Sequence, residues 1–259
     1  MSRRLTLVSW NVNGIRSVER RGFSGWMREL GADVIAVQET KAAPEQLAAG
    51  LRAPEGFHAA WCSAERRGYS GVATFSRTAP LEEARGLGDP RFDCEGRVLI
   101  SHFPEFTFFN VYFPSGSSGP ERVAYKLDFY RRFLEVIGGY LAEGRPLVVV
   151  GDVNTAYAEI DLARPRENRK TSGFLPEERA ALGEFFAAGL VDSFRHHRPD
   201  TRRYSWWSGR SPDLRARDIG WRLDYILVSP DLRPHIADAD ILCDVTGSDH
   251  CPVSLTLEF

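Results

Sequence analysis

The sequence lacks any apolar run near the roughly 18 residues that a membrane span requires. Its densest stretch, Leu147 to Val150, is four residues long and reads as a buried strand. Its four cysteines, Cys62, Cys94, Cys243 and Cys251, show no Cys-x-x-Cys spacing, which argues against a zinc site and against a stapled secreted fold. They read as four reduced thiols. The start, Met1-Ser2-Arg3-Arg4, leaves no room for a signal peptide's apolar segment before the strand-like Leu5 to Trp10, so the expectation is a cytoplasmic chain with no membrane segment. A global basic excess is also missing: the net charge is −2 and the pI near 6.3, which denies binding of nucleic acid by bulk electrostatics. Lysine is scarce. Lys41, Lys126 and Lys170 are the only three among 33 basic residues, so the other 30 are arginine, an excess that fits forked contacts with phosphate and equally a genome rich in arginine codons.

What is present is an ordinary globular composition, with 43% hydrophobic and 26% charged residues in 259, enough for a sizeable core. Charge is uneven, however. Between Leu162 and Arg222 stand 13 Arg or Lys against 8 Asp or Glu, a local +5 that leaves about −7 on the remainder. Strand-length apolar or alternating runs recur at 5–10, 33–38, 71–76, 97–103, 106–113, 146–151, 223–229 and 252–258. Helical spacing is clearest after Pro120, where Val123, Leu127, Tyr130, Leu134, Ile137 and Leu141 share a face; shorter candidates are 18–30, 44–51 and 176–188. The Pro- or Gly-rich stretches Pro114 to Pro120 and Ser208 to Pro212 are loop-sized and separate no compositionally distinct halves. Without a repeat of 20 to 50 residues, the reading is one domain over 1–259.

Several strands finish in polar residues. Leu147 to Val150 stops at Gly151, and Asp152 and Asn154 follow with the alternate spacing that sends both side chains the same way. Alone, this is also ordinary turn chemistry. Val34 to Val37 delivers Gln38-Glu39-Thr40-Lys41, and Leu7 to Trp10 delivers Asn11-Val12-Asn13-Gly14, which by itself would serve as a hairpin turn. Three such endings together point to a shared site. Near the C-terminus Asp249 and His250 sit at a strand entrance, while Asp224 is stranded in the apolar Leu223 to Val228. A buried carboxylate needs a partner, and His250 could supply it, with Asp224 fixing the ring's tautomer.

Seven segments in order, Ser9-Trp10-Asn11-Val12-Asn13-Gly14, Gln38-Glu39-Thr40-Lys41, Gly68-Tyr69-Ser70-Gly71, Asn110-Val111-Tyr112-Phe113-Pro114, Gly151-Asp152-Val153-Asn154, Trp221-Arg222-Leu223-Asp224-Tyr225 and Ser248-Asp249-His250, resemble the exonuclease III and apurinic/apyrimidinic endonuclease family. The resemblance runs from about residue 5 to the end. It implies an α+β fold, a four-layer αββα sandwich of two mostly antiparallel sheets flanked by helices, with the site where strand ends converge.

It further implies roles for individual positions. Glu39 looks like the metal carboxylate, helped by Asn11, Asn13 and Asp249, with Asp152 and Asn154 also within the metal's reach. Like charges about 4 Å apart repel by about 4 kcal/mol at an effective dielectric near 20, so converging acids call for a divalent cation, and hard oxygens favour Mg²⁺ with Mn²⁺ as substitute. Asp152 would deprotonate the attacking water, Asn154 would hold it or a phosphate oxygen, and Tyr112 would contact the phosphate. The resemblance leaves Asp152 or His250 as base; Asp152 is preferred, with His250 as a cationic phosphate donor oriented by Asp224.

Substrate contacts are implied at Trp206, Trp221 and Leu223, walls of a pocket for a sugar that has lost its base, and at Asn168, Tyr69, Arg97 and Ser115. Trp206 and Trp221, beside Arg202, Arg203, Arg210, Arg215, Arg217 and Arg222, suit a phosphate-tracking surface with an apolar niche; Trp207 reads as core. Three departures concern preference rather than chemistry. Ser115 stands where relatives carry Asn or Gln, Thr171 replaces an asparagine, and a loop arginine of the animal enzymes is missing near Ser117-Ser118. The implied activity is a DNA-repair hydrolase, a monomer acting on double-stranded DNA at abasic sites or 3′ ends. Two other readings keep the fold: hydrolysis of RNA, a phosphoinositide or another phosphodiester, of which the Trp- and Arg-rich segment disfavours the lipid head groups, and a binder that has lost catalysis, disfavoured by the clustered acids.

Overall fold

The structure, a computed structural model, describes residues 3–209 and 213–259. Along the chain run β1 (Arg4–Asn11), α1 (Ile15–Glu19), α2 (Phe23–Glu29), β2 (Val34–Gln38), α3 (Ala49–Arg52), β3 (His58–Cys62), β4 (Val72–Ser76), β5 (Glu82–Arg85), α4 (Pro90–Asp93), β6 (Val98–His102), β7 (Thr107–Tyr112), α5 (Pro120–Ala142), β8 (Leu147–Asp152), α6 (Pro176–Ala187), β9 (Val191–Asp192), α7 (Ser193–His197), α8 (Asp213–Ala216), β10 (Asp224–Val228), β11 (Ile236–Ile241) and β12 (Val253–Glu258). The strands form two six-stranded sheets, ordered β11-β12-β1-β2-β4-β3 and β5-β6-β7-β8-β10-β9. Each sheet is antiparallel except at one central pair, β1 with β2 and β7 with β8. This is the sandwich that the resemblance implied. Among the described residues no helix is long and apolar enough to cross a membrane.

Period-two alternation assigns the layers. Leu7, Val34, Val148, Ile226 and Leu255 point between the sheets, into a core that holds residues of both. Their chain neighbours Val8 and Ile35 face α1 and α2, where Ile15, Val18, Phe23 and Met27 cover them. On the other side Val149 and Leu227 meet Phe129, Phe133 and Ile137 of α5 and Leu182 and Phe185 of α6. Continuous apolar strands are thus buried on both faces. A polar seam also joins the sheets, where Gln38 Nε2 donates to Asn110 Oδ1 at 2.8 Å.

Several expectations are corrected. The helix read over 18–30 is two helices, interrupted at Gly22 with φ 94°. The segment 44–51 is a short 3-10 turn followed by α3. On α5 the fully buried face is Lys126, Phe129, Tyr130, Phe133 and Ile137, so Val123, Leu127, Leu134 and Leu141 are only half-buried. The edge strands β5 and β11 escaped the pattern because their outer residues, such as Glu82, Glu83, Asp238 and Asp240, are polar, as suits strands beside solvent, while the alanine-rich β3 carries no β-branched run.

Candidate active site

Both sheets release their central strands at the same end. β1 finishes at Asn11, β2 leads into Glu39, β7 finishes at Tyr112 and β8 at Asp152, while β10 starts at Asp224 and His250 precedes β12. Gly151 makes the approach of β8 to β7 feasible. Its φ is 142° and a Cβ there would lie 1.8 Å from the Val111 carbonyl oxygen. Beyond the strands the chain is held in unusual conformations, for Asn13, Glu39, Lys41, Ser70 and Asn154 all have φ between 45° and 56°. Hydrogen bonds between loops enforce this: Gly14 N donates to Glu39 O at 2.7 Å, and Lys41 N to Ser70 O at 2.8 Å. Such left-handed residues cluster where surrounding structure over-determines them.

The side chains form one connected network. The Asn11 amide donates both to Glu39 Oε1, at 2.8 Å, and to Asp152 Oδ2, at 2.9 Å, binding a carboxylate of each sheet. Asp152 Oδ1 accepts from the Asn154 backbone at 2.8 Å, and its Oδ2 from the Asn154 amide at 3.2 Å. His250 Nε2 lies 3.8 Å from Asp152 Oδ2, and its Nδ1 is 2.8 Å from Asp224 Oδ2. The same Asp224 oxygen accepts from Ser205 Oγ at 2.6 Å. On the opposite flank Lys41 pairs with Glu39 at 2.8 Å and also bonds Asn13, whose amide donates to Asp249 at 2.8 Å.

Electrostatics separates the two carboxylates. Burial raises Asp152 to about 7, with Asp224 and Glu39 pushing the same way against the His250 charge. For Glu39 burial also acts upward, but Lys41 and Asn11 outweigh it and the group ends below its ordinary value. Burial likewise opposes the charge of His250, yet Asp224 and Asp152 beside it hold it up at about 10, so the ring is a cation at neutral pH. Tyr112 is raised by burial and by Glu39 and Asp152, and stays a phenol. Its ring lies under the Arg97 guanidinium, 4.6 Å away.

Ligand atoms of Glu39, Asp152 and His250 lie within 4.8 Å of one another. A protonated His250 has no lone pair to offer, which leaves carboxylate and amide oxygens, and that hard donor set fits a divalent cation of the Mg²⁺ or Mn²⁺ kind. Asp249 lies beyond that group and is linked to it through Asn13 and Lys41.

Beside this acidic centre is an apolar cluster. Leu223, Leu162, Phe174 and Ala156 are buried together, with Trp206 and Trp221 packed on them. The two indoles meet edge to face at 6.4 Å, and Trp206 Nε1 donates to Asp249 Oδ2 at 3.1 Å, tying the cluster to the network. Trp207 is buried in the core between the sheets, as expected.

Other sequence expectations separate from this centre. Arg97 is 2% exposed and bonds the Tyr112 carbonyl, Tyr69 and Glu95, so it acts on the site by fixing two tyrosines. Asn168 donates to the Arg164 carbonyl of its own loop, and Ser115 pairs with Ser117. Among the described arginines read as a phosphate-tracking surface, Arg202 and Arg217 are exposed and Arg203 and Arg215 half-buried, and Arg222 alone is corrected to a buried group. Arg222 is buried between Asp161 and Asp192, Arg203 pairs with Asp240, Arg217 with Asp213, and Arg215 bonds the Cys243, Val245 and Ser248 carbonyls. Arg210 lies outside the described residues. Ser205, Phe174 and the Lys41 contact were not foreseen; only the stranded Asp224, which needs more than one partner, hinted at Ser205.

The model of the endonuclease/exonuclease/phosphatase family matches residues 8–250. An exodeoxyribonuclease of Bacillus subtilis is 44% identical over 98% of this chain and 99% of its own length. The DNA repair nuclease APEX1 of Danio rerio is 39% identical over 98% and 82% respectively. Among solved structures, an AP endonuclease from Leishmania major superposes with a TM-score of 0.90 at 28% identity, covering 99% of this chain and 88% of that one. Agreement in sequence across nearly the whole length, and in the course of the backbone, places the chain in the endonuclease/exonuclease/phosphatase family.

Proposed function

We propose that the protein is a metal-dependent DNA-repair phosphodiesterase that cuts duplex DNA on the 5′ side of an abasic site, leaving a 3′-hydroxyl, and also removes nucleotides or blocking groups from 3′ ends. Relatives named for exodeoxyribonuclease, DNA-repair nuclease and AP endonuclease activities support this reading. The observation that carries it is the junction of a two-carboxylate centre, held by one amide, with a pair of indoles on an apolar cluster through the Trp206–Asp249 hydrogen bond.

Each side chain has a task suited to its surroundings. Asp152, buried and more basic than an ordinary carboxylate, accepts the proton of the attacking water. Asn154 holds that water or a phosphate oxygen. The His250 imidazolium, kept in orientation by Asp224 and Ser205, donates to a phosphate oxygen and stabilises charge there without a covalent intermediate. Tyr112 donates from another side. Glu39 and Asp152, oriented by Asn11, would hold Mg²⁺ or Mn²⁺, with Asn154 as a further oxygen donor and Asp249, joined to Lys41 and Glu39 through Asn13, adding its charge from beyond them. When bound, such an ion supplies Lewis-acid stabilisation of the charge developing on phosphate and leaving group. Trp206, Trp221 and Leu223, with Phe174 packed behind Trp221, would receive a flipped sugar without a base, which has little stacking to lose, and resist an intact nucleotide.

We further take residues 1–259 to work as one catalytic domain and as a monomer, and the four free thiols support a reducing, cytoplasmic setting. The test is incubation with a duplex carrying one abasic analogue and with a recessed 3′ end, in Mg²⁺ and in chelator, beside Asp152→Asn. Incision in Mg²⁺ alone, lost in the variant, is expected. Cutting that persists in chelator and in the variant, or no cutting by the native enzyme, overturns the assignment.

A further inference from the structure

Behind the site lies an ion pair that the chemistry above does not use. Lys126 of α5 and Glu178 of α6 are both 0% exposed and meet at 2.8 Å. Isolating two charges from water is costly unless every remaining donor and acceptor is satisfied, and here the partners are specific. Lys126 Nζ also donates to the Asn154 backbone carbonyl at 2.7 Å. Glu178 Oε1 accepts from Ser172 Oγ at 2.8 Å, and its Oε2 from the backbone of Gly173 and of Leu175. Those two amides flank Phe174, whose ring meets Trp221 edge to face at 6.4 Å. Gly173 in turn accepts from Ala156 N at 2.8 Å, and a Cβ on it would press 3.3 Å from both the Asn154 carbonyl and the Trp221 ring.

We propose that Lys126 and Glu178 are a positioning pair that sets Asn154 and Phe174 in one fixed relation, Lys126 acting through the Asn154 carbonyl and Glu178 through the 172–175 loop. The helix supplies a second support one turn on, since Tyr130 donates to the Val153 carbonyl at 2.6 Å. Asn154 lies at φ 56° in the left-handed region, which asparagine tolerates better than most side chains, and the Lys126 contact on its carbonyl selects that conformation. Neither member touches substrate in this scheme. The inference rests on the assignment of Asn154 and the apolar cluster made above.

The test uses the full-length enzyme in three forms beside the native one: Lys126→Met, Glu178→Gln and the double variant. Each single change leaves a buried charge without its counterion and lowers the melting temperature; the double change removes both charges and restores most of it. Turnover is expected to behave differently. Lys126→Met and the double variant both leave the Asn154 carbonyl unheld, so kcat on the abasic duplex falls about 10- to 100-fold with KM little changed, per active molecule counted by burst titration. A double variant that regains both melting temperature and native kcat overturns the proposal, because the pair would then serve stability alone. So does a loss in the single variants confined to the fraction of active molecules. A native enzyme that leaves the abasic duplex intact sinks the reading of the site itself, and this inference with it.

Discussion

The two sheets pair their strands in the same order, β11-β12-β1-β2-β4-β3 against β9-β10-β8-β7-β6-β5, with the parallel contact at the same place in each. Corresponding positions nonetheless carry different chemistry. Asn11 at the end of β1 answers to Asp152 at the end of β8, Glu39 after β2 to Tyr112 at the end of β7, and His250 ahead of β12 to Asp224 at the start of β10. The first sheet offers a partly exposed carboxylate with its own cation, Lys41; the second offers two buried carboxylates that depend on the first sheet's imidazole. Glu39 is consequently more acidic than usual and Asp152 less so. Two acids whose surroundings separate their proton affinities can divide the work of ligand and base. Neither sheet contains a working site.

That division is tested most severely at Asp152. Exchange for Asn should lower kcat for abasic incision by about 10³- to 10⁴-fold, in the upper range for a lost general base, with the duplex still bound in a gel-shift assay. A tenfold loss or less would hand the base to another group. Glu39→Gln, on the first sheet, should weaken the apparent affinity for Mg²⁺ by about 10- to 100-fold, by analogy with losses near metal ligands, so that a Mg²⁺ titration recovers much of the rate; in Asp152→Asn, which loses the base together with a ligand, the same titration should recover little of it. Equal rescue of both would erase the distinction between the sheets.

How far this could be read from the sequence depended on burial. Strands covered on both faces announce themselves as continuous apolar runs, and their polar endings, Asn11, Glu39 and Asp152, come together in the structure with the stranded Asp224. The Asp224–His250 contact followed from the expense of an isolated buried acid. Edge strands such as Glu82–Arg85 carry too little apolar signal to be seen. Arg222 misled for a related reason: an arginine in a basic, tryptophan-rich stretch looks like a surface group, and only the fold reveals Asp161 and Asp192 on either side of it. Phe174 and Lys126 have no local signature, because their roles depend on residues far away along the chain.

Two smaller effects would refine the comparison. Phe174→Ala, in the apolar cluster, should reduce the preference for an abasic over an intact nucleotide by about tenfold, the scale of one lost apolar contact surface, when both are followed on matched duplexes. An unchanged ratio would deny Phe174 a part in that preference. The smallest is a pH effect. With its value in the folded protein near 10 against the ordinary 6.5, His250 contributes stability that is complete below about 6.5 and is lost as pH climbs through about 10. The melting-temperature advantage of the native protein over His250→Asn, measured in chelator, should therefore shrink across that interval; an advantage that grows with pH would mean the ring is neutral when folded.

The left-handed residues around the centre carry a lesson for anyone wishing to make this enzyme hardier. Asn13, Glu39, Lys41, Ser70 and Asn154 are the positions where a relaxed backbone would gain most, and also the positions whose geometry is needed. Thermal robustness should accordingly be sought at the outer helices and edge strands, since easing the chain where it is tightest would trade endurance for idleness.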